Sequence, residues 1–451
     1  MIKSVFPGGL AVVGVVVLAL SAAPATAQDV GRMDQVVRAS ADQDAFAGAV
    51  LVARDGEVLL DKGYGLANRE WAVPNDGETK FRLASVSKQF TAAAVLLLSE
   101  RGAVDIDAPV KTYLPDAPAA WDRVTVRHLL THTSGVPDLT RFDDFEALKT
   151  RPATLDSLIA RFRDRPLAFP PGEGWAYSNS NYVLATAVIE KASGQTYADF
   201  VAENLFRPLG MDDSGYDTHA AILPRRASGY VPTAGGVANA DYVDMSIPQG
   251  AGGLYSTTRD LLKWEQGLFG GRVLKPQSLT LMTTPYRNDY AMGLAVAKAG
   301  DDAIISHSGG IEGFNTYVAH DVEGGLTVIV LGNLNGDAPE KLGGSLMTLA
   351  RGGTVTLADE RQAAAMPVEA LEAYEGVYEV APAFTLTLAV AGGVLTAQAT
   401  GQQPIPLAPE AADAFFVAAI DAQITFTRDA AGAIEGLVLH QGGRNLPARK
   451  K

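Results

Sequence analysis

Apolar and polar positions follow one rhythm up to about residue 350 and another after it. Early in the chain, the apolar run 47–53 and the segment 57–64 flank Asp55-Gly56. A two-residue Asp-Gly between such runs is the strongest short hairpin signal, so two antiparallel strands are expected here. Far downstream, the turn Gly324-Gly325 leads into Leu326-Thr327-Val328-Ile329-Val330-Leu331, whose continuous β-branched character reads as a buried strand. Between these ends lie Gly-rich turns and amphipathic helical stretches, among them the long apolar run 89–98. Strands at both ends with helices between them predict an α+β fold, its antiparallel sheet closed by distant segments and flanked by helices. Beyond residue 366 the runs become short and alternating, as in Thr385-Leu386-Thr387-Leu388 and Gln423-Ile424-Thr425-Phe426, with Gly-Gly and Asp-Ala-Ala-Gly turns between them. That rhythm predicts an all-β unit. Arg351-Gly352-Gly353 and the acidic, Ala-rich stretch up to Met366-Pro367 mark the change, so the expected division is 28–352, a linker 353–366, and 367–451.

The amino terminus adds a destination. Lys3, an apolar core at 10–20 and Ala25-Thr26-Ala27 before Gln28 have the order of a secretory signal peptide, residues 1–27. The apolar core is too short to cross a bilayer, so the expectation is a secreted or periplasmic protein with no stable membrane anchor after cleavage. The formal charge of -14 becomes -15 on removal of the peptide, and basic residues cluster only at Arg449-Lys450-Lys451. Nucleic acid is therefore not an expected partner; a small molecule or a peptide is. The chain has no cysteine, which excludes disulfides and thiolate chemistry.

Three short segments carry candidate chemistry. Ser85-Val86-Ser87-Lys88 stands just before the apolar run 89–98. If Ser85 opens a helix, Lys88 lies one turn on, and an amine beside a hydroxyl makes a nucleophile of a group otherwise too weak to attack a carbonyl. Tyr177-Ser178-Asn179 follows the turn Pro170-Pro171-Gly172. A tyrosine whose pKa is lowered by a nearby cation can relay a proton, and Asn179 in a loop can hold Lys88 or a substrate amide. His307-Ser308-Gly309-Gly310 ends an apolar approach, and its glycines allow close backbone contact. A strand N–H there, paired with that of Ser85, forms an oxyanion hole. Taken singly, these segments are equally a helix start, an Asx turn and a glycine turn.

Together, in this order, they resemble the serine hydrolases that include class C β-lactamases, penicillin-binding DD-peptidases, related esterases and D-aminopeptidases. Supporting phrases are Phe81-Arg82-Leu83-Ala84, His128-Leu129-Leu130-Thr131-His132-Thr133-Ser134-Gly135, Leu205-Phe206-Arg207-Pro208-Leu209-Gly210-Met211 and Gly252-Gly253-Leu254-Tyr255-Ser256-Thr257. The resemblance covers most of 30–350 and implies a β-lactamase-like sheet with a helical subdomain. It implies an acyl-enzyme on Ser85, Lys88 and Tyr177 sharing general base and acid duty, and Asn179 orienting the site. The third motif is filled by His307, with Ser308 and Gly309 on substrate and the N–H groups of Ser85 and Gly310 on the oxyanion. Neither a metal nor an organic cofactor is implied. His307 stands where the penicillin-recognising pattern has lysine, and a neutral imidazole offers a donor but no fixed charge. An esterase, D-aminopeptidase or DD-peptidase-like activity on an ester or amide is therefore expected ahead of a β-lactamase or penicillin-binding carboxypeptidase. A non-catalytic sensor is the remaining rival.

The segment after 366, with Tyr374-Glu375-Gly376-Val377-Tyr378, Phe415-Phe416 and Leu437-Val438-Leu439-His440-Gln441-Gly442-Gly443, looks like the small lipocalin-like, barrel-like domain appended to some of these proteins. Its aromatics are expected in a core, since small barrels fill their interiors. Two other catalytic readings fall away. His128 and His132 have zinc-ligand spacing, but Leu129 stands where that motif needs glutamate, and a structural helix end is expected instead. No serine carries the glycine pattern of an α/β-hydrolase elbow.

Overall fold

The computed structural model describes residues 27–299, 302–382, 384–417, 422–429, 431–441 and 444–451. The expected signal peptide, Ala27 apart, and Gly442-Gly443 lie outside the described residues.

Six strands form one antiparallel sheet in the order Ala295–Ala299, Asp302–Ile311, Phe314–Asp321, Leu326–Gly332, Gly48–Arg54 and Glu57–Tyr64. Its first hairpin turns at Asp55 and Gly56, both with positive φ (50° and 82°), as the Asp-Gly signal requires. The strand Leu326–Gly332 lies beside Gly48–Arg54, so distant segments do close the sheet.

Both faces are buried, which explains the continuous apolar runs. Ala49, Leu51, Ile329 and Leu331 face the helical region and join its core. Val50, Val52, Val328 and Val330 face the opposite way, against Met33 and Val37 of the helix Ala27–Asp42 and Leu342 and Leu346 of the helix Ala338–Ala350. This is the period-two alternation of a strand, made invisible in the sequence because both sides are apolar.

On the first face lies the helix Ser87–Glu100, buried along most of its length, with Phe90 seated between the rings of Phe206 (5.6 Å) and Trp264 (4.1 Å). A helix enclosed on every side reads as an unbroken apolar run. The helix Asn179–Ser193 runs beside it and ends on Gly194 at φ 71°.

The C-terminal part forms a nine-stranded, nearly closed antiparallel sheet. Its two end strands, Ile405–Pro406 and Ala408–Ala411, are separated in sequence by Leu407 alone. Tyr374, Phe415 and Phe426 meet inside it edge-on or tilted at 4.6 to 5.6 Å and fill a core as expected, while Phe416 is buried outside that cluster. The connecting segment binds both parts. Val355 and Leu357 pack on the sheet face away from the nucleophile helix, Arg32 pairs with Glu360, and Arg361 holds Glu410 at 2.6 and 2.8 Å.

Candidate active site

Ser85 sits in a single 3₁₀ turn, Ala84–Val86, and the α-helix starts two residues later at Ser87. The expected helix start is thus a tight turn that leads into the helix, with Lys88 still three residues along. Ala84 holds φ at 48°, a left-handed conformation that costs a non-glycine residue about 1 kcal/mol. The turn is fastened to the strand Phe314–Asp321, the partner of the third-motif strand, by Thr316 Oγ1, which donates to the carbonyl of Leu83 at 2.8 Å. Gly309 is required at this junction. A Cβ there would stand 2.3 Å from Leu83 O and 2.4 Å from Thr316 Oγ1.

Lys88 is wholly buried and its Nζ has three oxygen neighbours: Ser85 Oγ at 3.0 Å, Asn179 Oδ1 at 2.9 Å and the carbonyl of Ala251 at 2.8 Å. Burial lowers its pKa to about 7, against the opposing pull of Asp138. A neutral amine has two N–H groups and one lone pair. Asn179 Oδ1 and Ala251 O can only accept, so they take both N–H groups, and the lone pair is left for the hydroxyl of Ser85. This is the arrangement of a general base.

Tyr177 also hydrogen-bonds Ser85, and Nζ of Lys88 lies 4.8 Å from its ring centroid. The expected lowering of its pKa is not found. Burial raises the phenol well above its usual value, and the hydrogen bond to Ser85 only partly offsets this. Tyr177 therefore rests as a neutral phenol, able to give a proton and not to take one. Asn179, expected in a loop, is the first residue of the helix Asn179–Ser193.

The third motif lies within the strand Asp302–Ile311, not in a turn. The strand Ala295–Ala299 pairs only as far as Ser306, leaving the edge at 307–311 open toward Ser85. Ile311 pairs with Phe314 across a two-residue turn, so alternation along the ladder directs the Gly310 N–H to that open edge. His307 is buried, and both its nitrogens are taken. Nδ1 donates to Ser308 O at 2.6 Å, so Nε2 is the acceptor and receives the Tyr290 hydroxyl at 3.0 Å. Burial and the neighbouring Lys88 lower it to about 3, keeping it neutral. The donor expected of His307 is thus spent inside the protein, which makes it a wall of the site.

Two clefts meet at Ser85. One, of about 450 Å³, is mostly apolar, with Leu139, Phe145, Val243, Ile247 and Ile311 in its walls. The segments 138–149 and 240–251 both contribute to it. The first is tied to the hairpin beyond Gly310 by the ion pair of Lys149 with Glu312 at 2.7 Å, and the second to the first by the Asp244 N–H on the carbonyl of Lys149 at 2.7 Å. The other cleft, of about 600 Å³, runs past Tyr177, His307, Ser308 and Gly309 to Asp337 and Glu340, and none of its described lining residues is a lysine or arginine.

Sequence reasoning missed three neighbours. His132 lies against Tyr177, ring centroids 4.3 Å apart and tilted by 38°, and accepts the Ser178 N–H on Nδ1 at 3.2 Å, while its carbonyl takes the Ala176 N–H. Its place within Thr131-His132-Thr133-Ser134-Gly135 was the available signal. Tyr290 and Asp138 stood in no motif. His128 closes a capping box with Thr125 on the short helix Val126–Leu130, the structural helix end expected. Among the described residues no cluster could hold a metal ion.

The beta-lactamase family matches residues 33–350, and a domain of unknown function matches 360–448. Penicillin-binding protein 4* of Bacillus subtilis is 28% identical over 447 residues, 90% of this chain and 95% of its own. Esterase EstB of Burkholderia gladioli is 38% identical over 240 residues, 49% of this chain and 60% of its own. The crystal structure of D-amino acid amidase from Ochrobactrum anthropi superposes with a TM-score of 0.62 and 26% identity, covering 72% of this chain and 99% of the amidase. A serine set against a buried amine on this sheet, with a family match over residues 33–350, makes the chain a serine hydrolase of the beta-lactamase family.

Proposed function

We propose that this enzyme hydrolyses esters or amides through an acyl-enzyme on Ser85, choosing substrates whose leaving group is neutral or cationic. One observation carries the reading. The cleft holding Tyr177 and the third motif is lined by Asp337 and Glu340 without a cationic side chain among its described residues, and His307 has no free donor. Asp337 is paired with Lys341 at 3.2 Å, so a substrate carboxylate there meets the charge of Glu340 and no cationic lining residue, which disfavours a β-lactam or a peptide ending in D-alanine.

Neutral Lys88 takes the proton of Ser85 as Oγ attacks the carbonyl, and the N–H groups of Ser85 and Gly310 hold the oxyanion. Tyr177 gives its proton to the leaving group, and Lys88 restores it. Water then repeats the relay on the acyl-enzyme. The apolar cleft takes the acyl group. The similarity to an esterase and to a D-amino acid amidase supports this substrate range. Similarity over 95% of a penicillin-binding protein favours, as a second reading, a peptidase acting on wall peptides. The segment 1–27 supports secretion or a periplasmic place. The unit after 366 is read as lipocalin-like.

The test is the intact mass of the purified protein after a fluorophosphonate probe, alongside Ser85→Ala. One adduct on the parent and none on the variant is expected, followed by turnover of p-nitrophenyl esters or D-amino-acid anilides and at most weak turnover of nitrocefin. Labelling without any turnover moves the non-catalytic sensor ahead, and rapid nitrocefin hydrolysis overturns the leaving-group assignment.

A further inference from the structure

We infer that Asp138 is a positioning residue of this site: its carboxylate, seated at the amino end of the helix Asn179–Ser193, turns the Asn179 amide so that Oδ1 faces the Lys88 amine. The inference rests on the acyl-enzyme reading above.

Asp138 Oδ1 accepts the backbone N–H of Asn179 at 3.1 Å, and both carboxylate oxygens and Thr140 Oγ1 lie 3.4 Å from Asn179 Nδ2. The side chain is 7% exposed and is held by Thr140, through N at 3.2 Å and Oγ1 at 2.9 Å, with the exposed Arg141 guanidinium 4.0 Å from Oδ2. The residue that ought to cap this helix does not: Ser178 makes no side-chain cap, and its hydroxyl is buried without a partner. A carboxylate brought in from the loop 138–149 does the capping instead, at a terminus whose dipole favours an anion.

An amide has one accepting and one donating end. A carboxylate on one side leaves only one sensible orientation, with Nδ2 toward Asp138 and Oδ1 toward Lys88. The same terminus repels an ammonium, so the anion also offsets the dipole felt by Lys88. The other groups around Nζ are Ser85 Oγ, Ala251 O, the rings of Tyr177 and Tyr182, and the neutral imidazoles of His132 and His307. Asp138 is thus the negative charge acting on the base, through a single intervening amide.

The direction of the effect separates this role from general damage. Removing the charge makes Lys88 easier to deprotonate, so the acid limb of the acylation rate moves down. Opening the site to water would return Lys88 toward its ordinary value and move the limb up. The experiment measures the fluorophosphonate labelling rate of the full chain against pH for parent, Asp138→Asn and Asp138→Glu. Asp138→Asn is expected to lower the midpoint by about one pH unit and the plateau about tenfold. A midpoint that stays or rises overturns the inference. Asp138→Glu keeps the charge but displaces its oxygens, and carries the test if the first variant does not fold. Its midpoint is expected to stay with the parent while the plateau falls about tenfold, and a parental plateau overturns the inference. A parent that takes no adduct on Ser85 refutes the acyl-enzyme reading instead, so the two failures are distinct.

Discussion

The six-stranded sheet and the nine-stranded sheet bury their apolar residues in different ways. In the first, Val50, Val52, Val328 and Val330 pack on two outer helices, while Ala49, Leu51, Ile329 and Leu331 pack on the helix behind Ser85. In the second, Leu386, Leu388, Leu395 and Leu437 turn inward around Tyr378 and Phe415, while residues such as Thr387 and Gln398 face water. A sheet covered on both faces has cores on either side and a free edge between elements, and that edge holds the site. A sheet that curls on itself spends its apolar face on its own interior. The first arrangement can hold a buried polar network against an apolar wall; the second supplies a stable unit with no such junction.

If chemistry belongs to the first sheet alone, the largest effect comes from the base. Lys88→Met fits a buried site and leaves Ser85 without a lone pair to take its proton, so the labelling rate is expected to fall about 10³-fold or more with folding kept. Stopped-flow or mass-based labelling of the folded variant checks this. Gly309→Ala follows. Its new methyl overlaps Leu83 O and Thr316 Oγ1 and moves the turn bearing Ser85 away from the Gly310 N–H, so a loss of about 10²-fold is expected in labelling and in ester turnover alike.

A subtler test concerns pH. With Lys88 near 7 in the folded site, the active, neutral amine is lost as pH falls, so the rate is expected to drop about tenfold per unit below 7 and to level off above it. His307, held near 3, is uncharged across that range and adds no second step between pH 5 and 9. A rate independent of pH from 5 to 8 would remove Lys88 from the role of base.

The sequence made some of this legible and hid the rest for physical reasons. Asp55-Gly56 located a hairpin because both residues must adopt positive φ, a demand local to two positions. Ser85, Lys88, Tyr177, Asn179 and Gly310 converge because each carries chemistry within a recognisable phrase. Charge states were not legible. The pKa of Tyr177 was expected to be lowered by a nearby cation, yet the enclosure that lowers Lys88 raises the phenol. Nor could His307 be seen as spent, since its partner Tyr290 lies on another segment. Asp138 could not be picked out, because a cap supplied from forty-one residues away leaves no trace in the spacing around Ser178.

The smallest expected effect tests the independence of the two sheets. Tyr378 is fully buried in the nine-stranded sheet, and its hydroxyl donates to the carbonyl of Tyr374 at 2.8 Å. Tyr378→Ala removes an aromatic from that core and leaves a carbonyl without its donor, a loss of about 3–5 kcal/mol to that unit. The connecting segment docks on the face opposite the nucleophile helix, so this loss has no direct route to Ser85. Thermal unfolding is expected to split, with an early transition for the C-terminal unit and a later one near the parental midpoint. The labelling rate at a temperature between the two is expected to stay within about twofold of the parent. A single transition with activity lost in step would join the sheets into one cooperative body, making the connecting pairs of Arg32 with Glu360 and Arg361 with Glu410 structural supports of the catalytic region.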